Sequence, residues 1–200
     1  MRRFTARLSR SVSHKLKMEF TLTYKGPLRG NSSTVQHKQE LRRFFHKQLK
    51  MLWSQEPLST SQVLIPNQQN PIEATKLQIG NFTFVPLVTQ RLYLFSELDV
   101  LFLRPGPRGS IIQSGGDIDN RLKTLLDSLR VPKSNQELPT NDNPSNEESP
   151  FFCLLEDDAL VTSVSVSADQ YLEVSTQEEA LVVIKVRIKK SRDMWNNSDF

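Results

Sequence analysis

A pair of adjacent glycines followed by a short amphipathic pattern constrains the fold of this chain more than any other feature. Gly115 and Gly116 disfavour a helix at that point, because glycine loses more backbone freedom on folding than any other residue. Four leucines then recur at the spacing of one helical face. They are Leu122, Leu125, Leu126 and Leu129. The sequence therefore predicts an extended segment that turns into a helix, with Asp117, Asp119 and Asn120 at the junction.

Charged residues surround this predicted helix entrance. In an extended segment Asp117 and Asp119 project to the same side, because side chains alternate along a strand. Asp119 or Asn120 is a suitable N-cap, since a short polar side chain accepts from the backbone N–H groups of the first turn. Asp119, Lys123 and Asp127 follow one another at intervals of four and form a stripe directed away from the leucines. The pattern indicates either a helix cap with a turn, or a cluster of two carboxylates and an ammonium group.

A second acidic cluster favours the functional interpretation. Glu156, Asp157 and Asp158 separate two apolar, strand-like runs, 151–155 and 159–161, where buried sequence is expected. Carboxylates gathered together resist ionisation unless a cation offsets their charge, and a hard divalent ion with oxygen ligands does so. The sequence therefore predicts a divalent-metal site that draws on both clusters.

The pattern G-D-x-D-N-x-x-K-x-x-x-D, followed by an apolar stretch and D-D-x-x-V, resembles the RusA-type Holliday junction resolvases. The resemblance extends over residues 17–190, although its specific part is short. It implies a small homodimeric endonuclease that uses Mg2+, with Mn2+ as a substitute, to cut four-way DNA junctions in recombination and repair. The matching residues are Asp117, Asp119, Asn120, Lys123 and Asp127 in the central motif, and Asp157 and Asp158 downstream.

The resemblance also implies roles for these residues. Three aspartates become metal ligands and catalytic groups: Asp117, Asp119 and Asp158. Lys123 becomes the catalytic lysine, and the supporting residues are Asn120, Asp127 and Asp157. Two features depart from the family: Leu160 stands where a polar residue such as glutamine is usual, and the link between helix and second cluster is longer. A catalytically silent nucleic-acid-binding protein of the same fold therefore remains the alternative.

Other classes of protein fit less well. A D-x-D phosphotransferase or phosphatase places its motif directly after an apolar strand, whereas Ser114-Gly115-Gly116 precedes it here. The chain lacks a Gly-rich phosphate loop and a dinucleotide fingerprint, so no organic cofactor is expected. No apolar run approaches the ~18 residues that span a membrane. The single cysteine, Cys153, lies in an apolar run and is expected to be a buried packing residue.

Basic residues are concentrated in the first fifty positions and in the last strand, although the net charge is only +4. A helix predicted over 34–53 combines an apolar face, which includes Phe44, with a basic one. Clustered Lys and Arg bind DNA phosphates by releasing counterions. The candidate DNA contacts are Arg42, Arg43, Lys47, Lys50, Arg104, Arg108, Arg121, Lys185 and Arg187. His37 and His46 lack partners at metal-ligand spacing and are expected at the surface.

The order of the predicted elements indicates a single α+β domain, in which two principal helices pack on a mixed sheet. Strands are predicted over 18–25, 82–88, 90–95, 98–104, 160–166 and 181–190. Residues 1–17 are expected to be a basic, disordered tail, 18–190 the nuclease domain and 191–200 a second tail. The polar segment 134–149 is expected to be a disordered insert. The resemblance suggests a cytoplasmic protein of bacterial or prophage origin, while the Arg-rich start leaves organellar targeting open.

Overall fold

The computed structural model describes residues 18–30, 33–59, 75–105, 118–172 and 179–192 of the protein. Within them the chain forms an α+β domain with two principal helices packed on mixed sheets, which confirms the predicted fold class. The elements in chain order are β1 (Glu19–Pro27), α1 (Val35–Trp53), β2 (Leu77–Ile79), β3 (Phe82–Val88), β4 (Leu94–Arg104), α2 (Ile118–Leu129), β5 (Phe151–Leu155), β6 (Val161–Gln170) and β7 (Glu179–Lys190). None of the described helices is long and apolar enough to cross a membrane.

The strands divide over two sheets. The larger has the order β1-β7-β4-β6, in which β7 pairs antiparallel with both neighbours and β4 pairs parallel with β6. The smaller has the order β2-β3-β5, with a parallel β3–β5 pair. Both sheets are therefore mixed, and β5 carries the chain from α2 to the second acidic cluster at its carboxyl end.

Alternating side chains explain why β7 lies inside the larger sheet. Val182, Ile184 and Val186 are buried, and the register places them beside Tyr24 and Leu22 of β1 and beside buried residues of β4. The basic residues between them face the opposite side of the sheet. A strand with one apolar face is stable at the centre of a sheet when helices cover that face.

Helix α1 covers the core with residues that recur every four positions. Thr34 is its N-cap and accepts a hydrogen bond from the backbone of His37, as a hydroxyl residue at this position does. Leu41, Phe45, Leu49 and Trp53 are buried. Phe44 was predicted to be buried with them, but it is 39% exposed and packs edge-on against Tyr24 with ring centroids 5.0 Å apart. Its position lies to one side of the four-residue stripe.

Strand β4 is longer than the pattern predicted. The sequence favours two strands over 90–95 and 98–104, whereas the structure has one strand that begins only at Leu94. Residues Gln90–Leu92 form a 3-10 turn capped by Thr89. Tyr93 ends this turn with a φ of 54°, in the left-handed region, so the chain changes direction before the strand starts.

The segment 134–149, predicted to be disordered, is ordered, and the prediction is wrong. It forms two 3-10 turns, Asn135–Glu137 and Asn146–Glu148. Leu138 is buried with Phe82, Phe151 and other residues of a small second core. We term residues 134–149 the acidic strap, because their acidic side chains form ion pairs with α1. These ion pairs and the buried Leu138 compensate for the low apolar content of the segment. The predicted tail 1–17 lies outside the described residues, as do residues 193–200 of the predicted tail 191–200.

Candidate functional site

The central motif lies at the start of α2, as the sequence predicts. Helix α2 begins at Ile118, so Asp119 and Asn120 are in its first turn and neither is the N-cap, which corrects that expectation. Leu125 and Leu129 are buried, while Leu122 and Leu126 are partly buried against the core. Asp117 lies outside the described residues.

Asp119 and Lys123 are the open charges of this helix. Both side chains are exposed, and in the described part of the chain neither forms a hydrogen bond or an ion pair. They are four residues apart, so they lie one above the other on the same helical face. A carboxylate in the first turn is also favoured by the helix dipole. Asn120 is partly buried, and its Cβ lies 3.3 Å from where a Cβ on Gly30 would stand. The loop backbone at Gly30 therefore approaches α2 closely.

Asp127 does not share this exposed face, although the spacing predicted that it would. Its carboxylate lies between the helices, where it accepts from Lys38 at 2.6 Å and from Arg130 at 2.8 Å. Burial raises the pKa of Asp127, but the hydrogen bonds and charges of these two cations outweigh burial and hold the pKa below its usual value. Asp127 therefore joins α1 to the C-terminal end of α2, and its role in the motif is structural.

Arg42 was a candidate DNA contact, and the structure contradicts this assignment. Its side chain is only 1% exposed. It donates to Gln39 Oε1 at 2.5 Å, to the Asp127 carbonyl at 3.0 Å and to the Arg130 carbonyl at 3.3 Å. The Asp127 carbonyl belongs to the last turn of α2, where backbone acceptors have no partner within the helix, and Arg130 directly follows that turn. Arg42 therefore caps α2 from within the core.

The second acidic cluster follows β5 and is held by local hydrogen bonds. Glu156 accepts from the Thr89 hydroxyl and from the Gln90 backbone at 3.2 Å. Asp157 caps the 3-10 turn Asp158–Leu160 by accepting from Ala159 N at 2.9 Å, and this hydrogen bond lowers its pKa. The turn directs Leu160 into the core, which explains an apolar residue at this position.

Lys133 pairs with both members of the acidic pair, and its single charge offsets part of theirs. Its ammonium lies 3.6 Å from Asp157 Oδ2 and 3.6 Å from Asp158 Oδ1. Lys133 follows the C-terminal end of α2, whereas Asp119 lies in the first turn of this 12-residue helix. A helix of that length extends over about 18 Å at about 1.5 Å per residue. The described contacts thus tie Asp158 to the segment after α2, and none of them joins it to Asp119.

The donor chemistry suits a hard cation, while the full ligand set extends outside the described residues. Among those residues no three His, Cys, Asp or Glu side chains form a group that could hold a metal. Asp119 is open, and Asp158 remains 41% exposed beside its lysine. Carboxylate oxygens are the ligands that Mg2+ prefers. Asp119 and Asp158 therefore each present accessible oxygens, but the structure places them at opposite ends of α2 and does not bring these two expected ligands together.

Both described histidines are buried, so their predicted surface position is wrong. Phe152 N donates to His46 Nδ1 at 2.9 Å, and His46 Nε2 lies 3.1 Å from the Glu147 carbonyl. Since Nδ1 accepts, Nε2 carries the proton and the ring is neutral. Arg29 N donates to His37 Nε2 at 3.3 Å. Burial is the main reason why the pKa of each is lowered. The four-residue spacing of His37 from the buried positions of α1 was the signal that placed it inside.

Most of the other predicted DNA contacts are engaged within the molecule. Arg43 pairs with Asp142 and Glu148, both at 2.7 Å, and Lys50 with Glu147 at 2.5 Å. The acidic strap thus covers the basic face of α1 that was predicted to bind DNA phosphates. Lys47 is exposed on the same helix.

The basic residues outside α1 follow the same trend. Arg121 is buried and donates to the Leu28 carbonyl. Lys185 pairs with Glu19 at 2.6 Å, and Arg187 pairs with Asp99 at 2.6 Å on the outer face of the larger sheet. Arg104 is partly buried at the end of β4, and Arg108 lies outside the described residues. Ion pairing within the chain leaves few of these cations open to DNA.

Comparison with known proteins adds nothing to this geometry. No family model, curated protein or solved structure matches the chain. The resemblance to the resolvases therefore rests on the motif residues alone.

Proposed function

We propose that the protein is a metal-dependent endodeoxyribonuclease that cuts branched DNA, such as four-way junctions. The observation that carries the proposal is the contrast within α2. Asp119 and Lys123 are exposed and form no ion pair or hydrogen bond in the described part of the chain, whereas Asp127 forms ion pairs with Lys38 and Arg130. Exposed charges are common on the outer face of a surface helix, so the proposal depends on their positions: Asp119 and Lys123 stand where the motif has a metal ligand and the catalytic lysine.

The proposed metal ligands are Asp117 and Asp119. The resemblance adds Asp158, but in the structure this residue contacts Lys133, after the other end of α2. A bound magnesium ion would supply Lewis acidity toward a phosphate oxygen and lower the pKa of a coordinated water. Lys123 lies one helical turn from Asp119, and its ammonium is placed to neutralise charge on a phosphate. Asn120, partly buried beside Gly30, would support the start of α2 by packing rather than bind the metal. By the same resemblance the enzyme acts as a homodimer in the cytoplasm.

A second candidate is a nucleic-acid-binding protein of the same fold that does not cut. Lys133 favours it, because its ammonium already pairs with Asp157 and Asp158 and offsets part of their charge without a metal. In that case DNA would bind through exposed cations such as Lys47 and Lys123, and metal would have no effect.

A synthetic four-way junction separates these candidates. The wild-type protein is expected to nick the junction in Mg2+ or Mn2+ but not in EDTA, and to cut linear duplex of the same sequence far less. Asp119→Asn removes a proposed ligand without changing side-chain size, so we expect cleavage to fall at least about 100-fold while a gel shift with the junction persists. Binding without cleavage by the wild-type protein would support the silent alternative.

Asp127→Asn is the matched control, since it makes the same chemical change in the same helix. Because Asp127 is structural, this variant should lose stability but retain metal-dependent cleavage below its unfolding temperature. Unchanged cleavage by Asp119→Asn, or equal loss of cleavage in both variants, would contradict the assignment of Asp119.

A further inference from the structure

The two edges of the larger sheet are chemically different. The order β1-β7-β4-β6 leaves β1 and β6 at the edges. An edge strand presents a row of backbone N–H and C=O groups that can pair with another strand, and proteins commonly protect such edges.

The β1 edge is blocked by a side chain. The amide of Gln48, from α1, accepts from Thr23 N at 3.0 Å and donates to the Thr23 carbonyl at 2.7 Å. The side-chain amide thus makes the pair of hydrogen bonds that a neighbouring strand would make. Pro27, the last residue of β1, has no N–H to offer.

The β6 edge has no comparable protection among the described residues. Its other side pairs with β4, while no described element covers its free edge. Eight consecutive residues, 161–168 (V-T-S-V-S-V-S-A), contain no charge, proline or glycine. Most of the strand is exposed, and Val164 is 38% exposed although it lies on the core side of the sheet, beside buried Leu98. Among the described residues, positions 161–168 thus form a long, uncharged and uncovered edge of the kind that pairs with another chain.

We propose that β6 pairs antiparallel with β6 of a second copy of this chain, forming one continuous eight-stranded sheet. The strand is self-complementary when Ser165 lies on the two-fold axis. Val164 then faces Val166 of the second copy and Ser163 faces Ser167, so that valines pair with valines on one face and serines with serines on the other. The symmetric contact would bury the exposed Val164 twice.

A foreign peptide fits this edge less well. Peptides that add a strand to a sheet gain specificity from pockets for alternate side chains. Residues 161–168 of β6 are small Thr, Ser, Val and Ala side chains, and the shallow depression lined by Ser165 and Ser167 lies toward β4 and β7 rather than beyond the free edge. The lack of charge over 161–168 also removes the repulsion that would oppose two identical strands. The observations therefore favour a second copy.

Cysteine substitution tests the pairing. Opposed residues of an antiparallel pair have Cα atoms about 4.5–5.5 Å apart, within the range that a disulfide bridges. Ser165→Cys is therefore expected to give a covalent dimer on mild oxidation, in higher yield than Ser163→Cys. The sole native cysteine, Cys153, is buried and should not interfere. Thr21→Cys, on β1, is the matched control and should remain monomeric in denaturing gels.

The oligomeric state of the full chain gives the second test. By light scattering, the wild-type protein should be a dimer at micromolar concentration, and Val164→Lys should dissociate at least about tenfold more readily, because a charge enters the interface at each copy. Thr21→Lys, on the blocked edge, should behave as wild type. A wild-type monomer at about 100 μM, or a dimer that survives Val164→Lys without cross-linking through Ser165→Cys, would overturn the proposal. Protection of the 163–167 amides from hydrogen exchange that did not depend on concentration would do so too, since it would indicate a strand from the same chain.

Discussion

Replacing Asp127 by alanine should show that this motif residue stabilises the fold. The substitution removes ion pairs to Lys38, at 2.6 Å, and to Arg130, at 2.8 Å. Breaking a fully buried pair costs about 3–5 kcal/mol, whereas an exposed pair contributes about 0–1 kcal/mol. Arg130 is almost fully buried but keeps Glu137 at 2.8 Å, and Lys38 is partly exposed. We therefore expect a loss of about 2–3 kcal/mol in the free energy of unfolding.

Urea and thermal unfolding, followed by circular dichroism, measure this loss. For a chain of this size about 2–3 kcal/mol corresponds to a fall of about 5–10 °C in Tm. Asp119→Ala is the control, because it removes a carboxylate from the same helix that has no described partner. Only the weak helix-dipole contribution, below about 1 kcal/mol, is lost there. Equal destabilisation by the two variants would refute the division of α2 into structural and open charges.

The pH dependence gives a further check on Asp127. Its pKa is lowered in the folded state from the usual 3.8, so the unfolded state binds the proton first. The stabilisation is therefore complete above the unfolded pKa and is lost as the pH falls through the folded value. The difference in stability between wild type and Asp127→Ala should narrow below about pH 4. A constant difference across the acid range would mean that packing, rather than charge, caused the loss.

Two further predictions concern the interior and the acidic strap. Burial lowers the pKa of His46 from 6.5, so the folded state favours the neutral ring. The contribution of His46 to stability should therefore be complete above pH 6.5 and fall below it. Urea midpoints measured from about pH 7.5 to about 5.5 should show a shallower decline in His46→Gln than in the wild type. Arg43→Ala removes the ion pairs to Asp142 and Glu148 and should speed proteolysis within the acidic strap severalfold. Lys47→Ala, on the exposed side of α1, is the control and should leave the proteolysis rate unchanged. Equal cleavage of the two variants would contradict the role of the ion pairs.

Local patterns predicted the elements of this fold well. The alternation at 18–25 marks β1, and the capped amphipathic segment at 34–53 marks α1, because each depends on neighbouring residues only. The acidic strap was missed because the residues that order it are distant: Glu148 pairs with Arg43, 105 positions earlier in the chain. Composition predicts disorder where apolar content is low, but it does not register ion pairs made across the fold.

The motif predicted the start of α2, but not the surroundings of the charged residues along it. The motif places Asp119 and Lys123 at the helix entrance, and the structure leaves them exposed there. Equal spacing assigned Asp127 to the same stripe, yet the packing of α1 turns that position into an internal contact. A helical period cannot tell which part of a stripe meets a second helix. The buried Arg42 was misassigned for the same reason.

The hydrogen bonds between the Gln48 side-chain amide and the backbone of Thr23 have a consequence for assembly. A sheet with two open edges can add copies without limit, as fibres do, whereas a sheet with one open edge ends after a single addition. Gln48 occupies the backbone groups of Thr23 in the middle of the β1 edge, which leaves β6 as the more accessible edge of the described sheet. Pairing through β6 would then end at two copies, and this glutamine would favour a finite particle over a polymer.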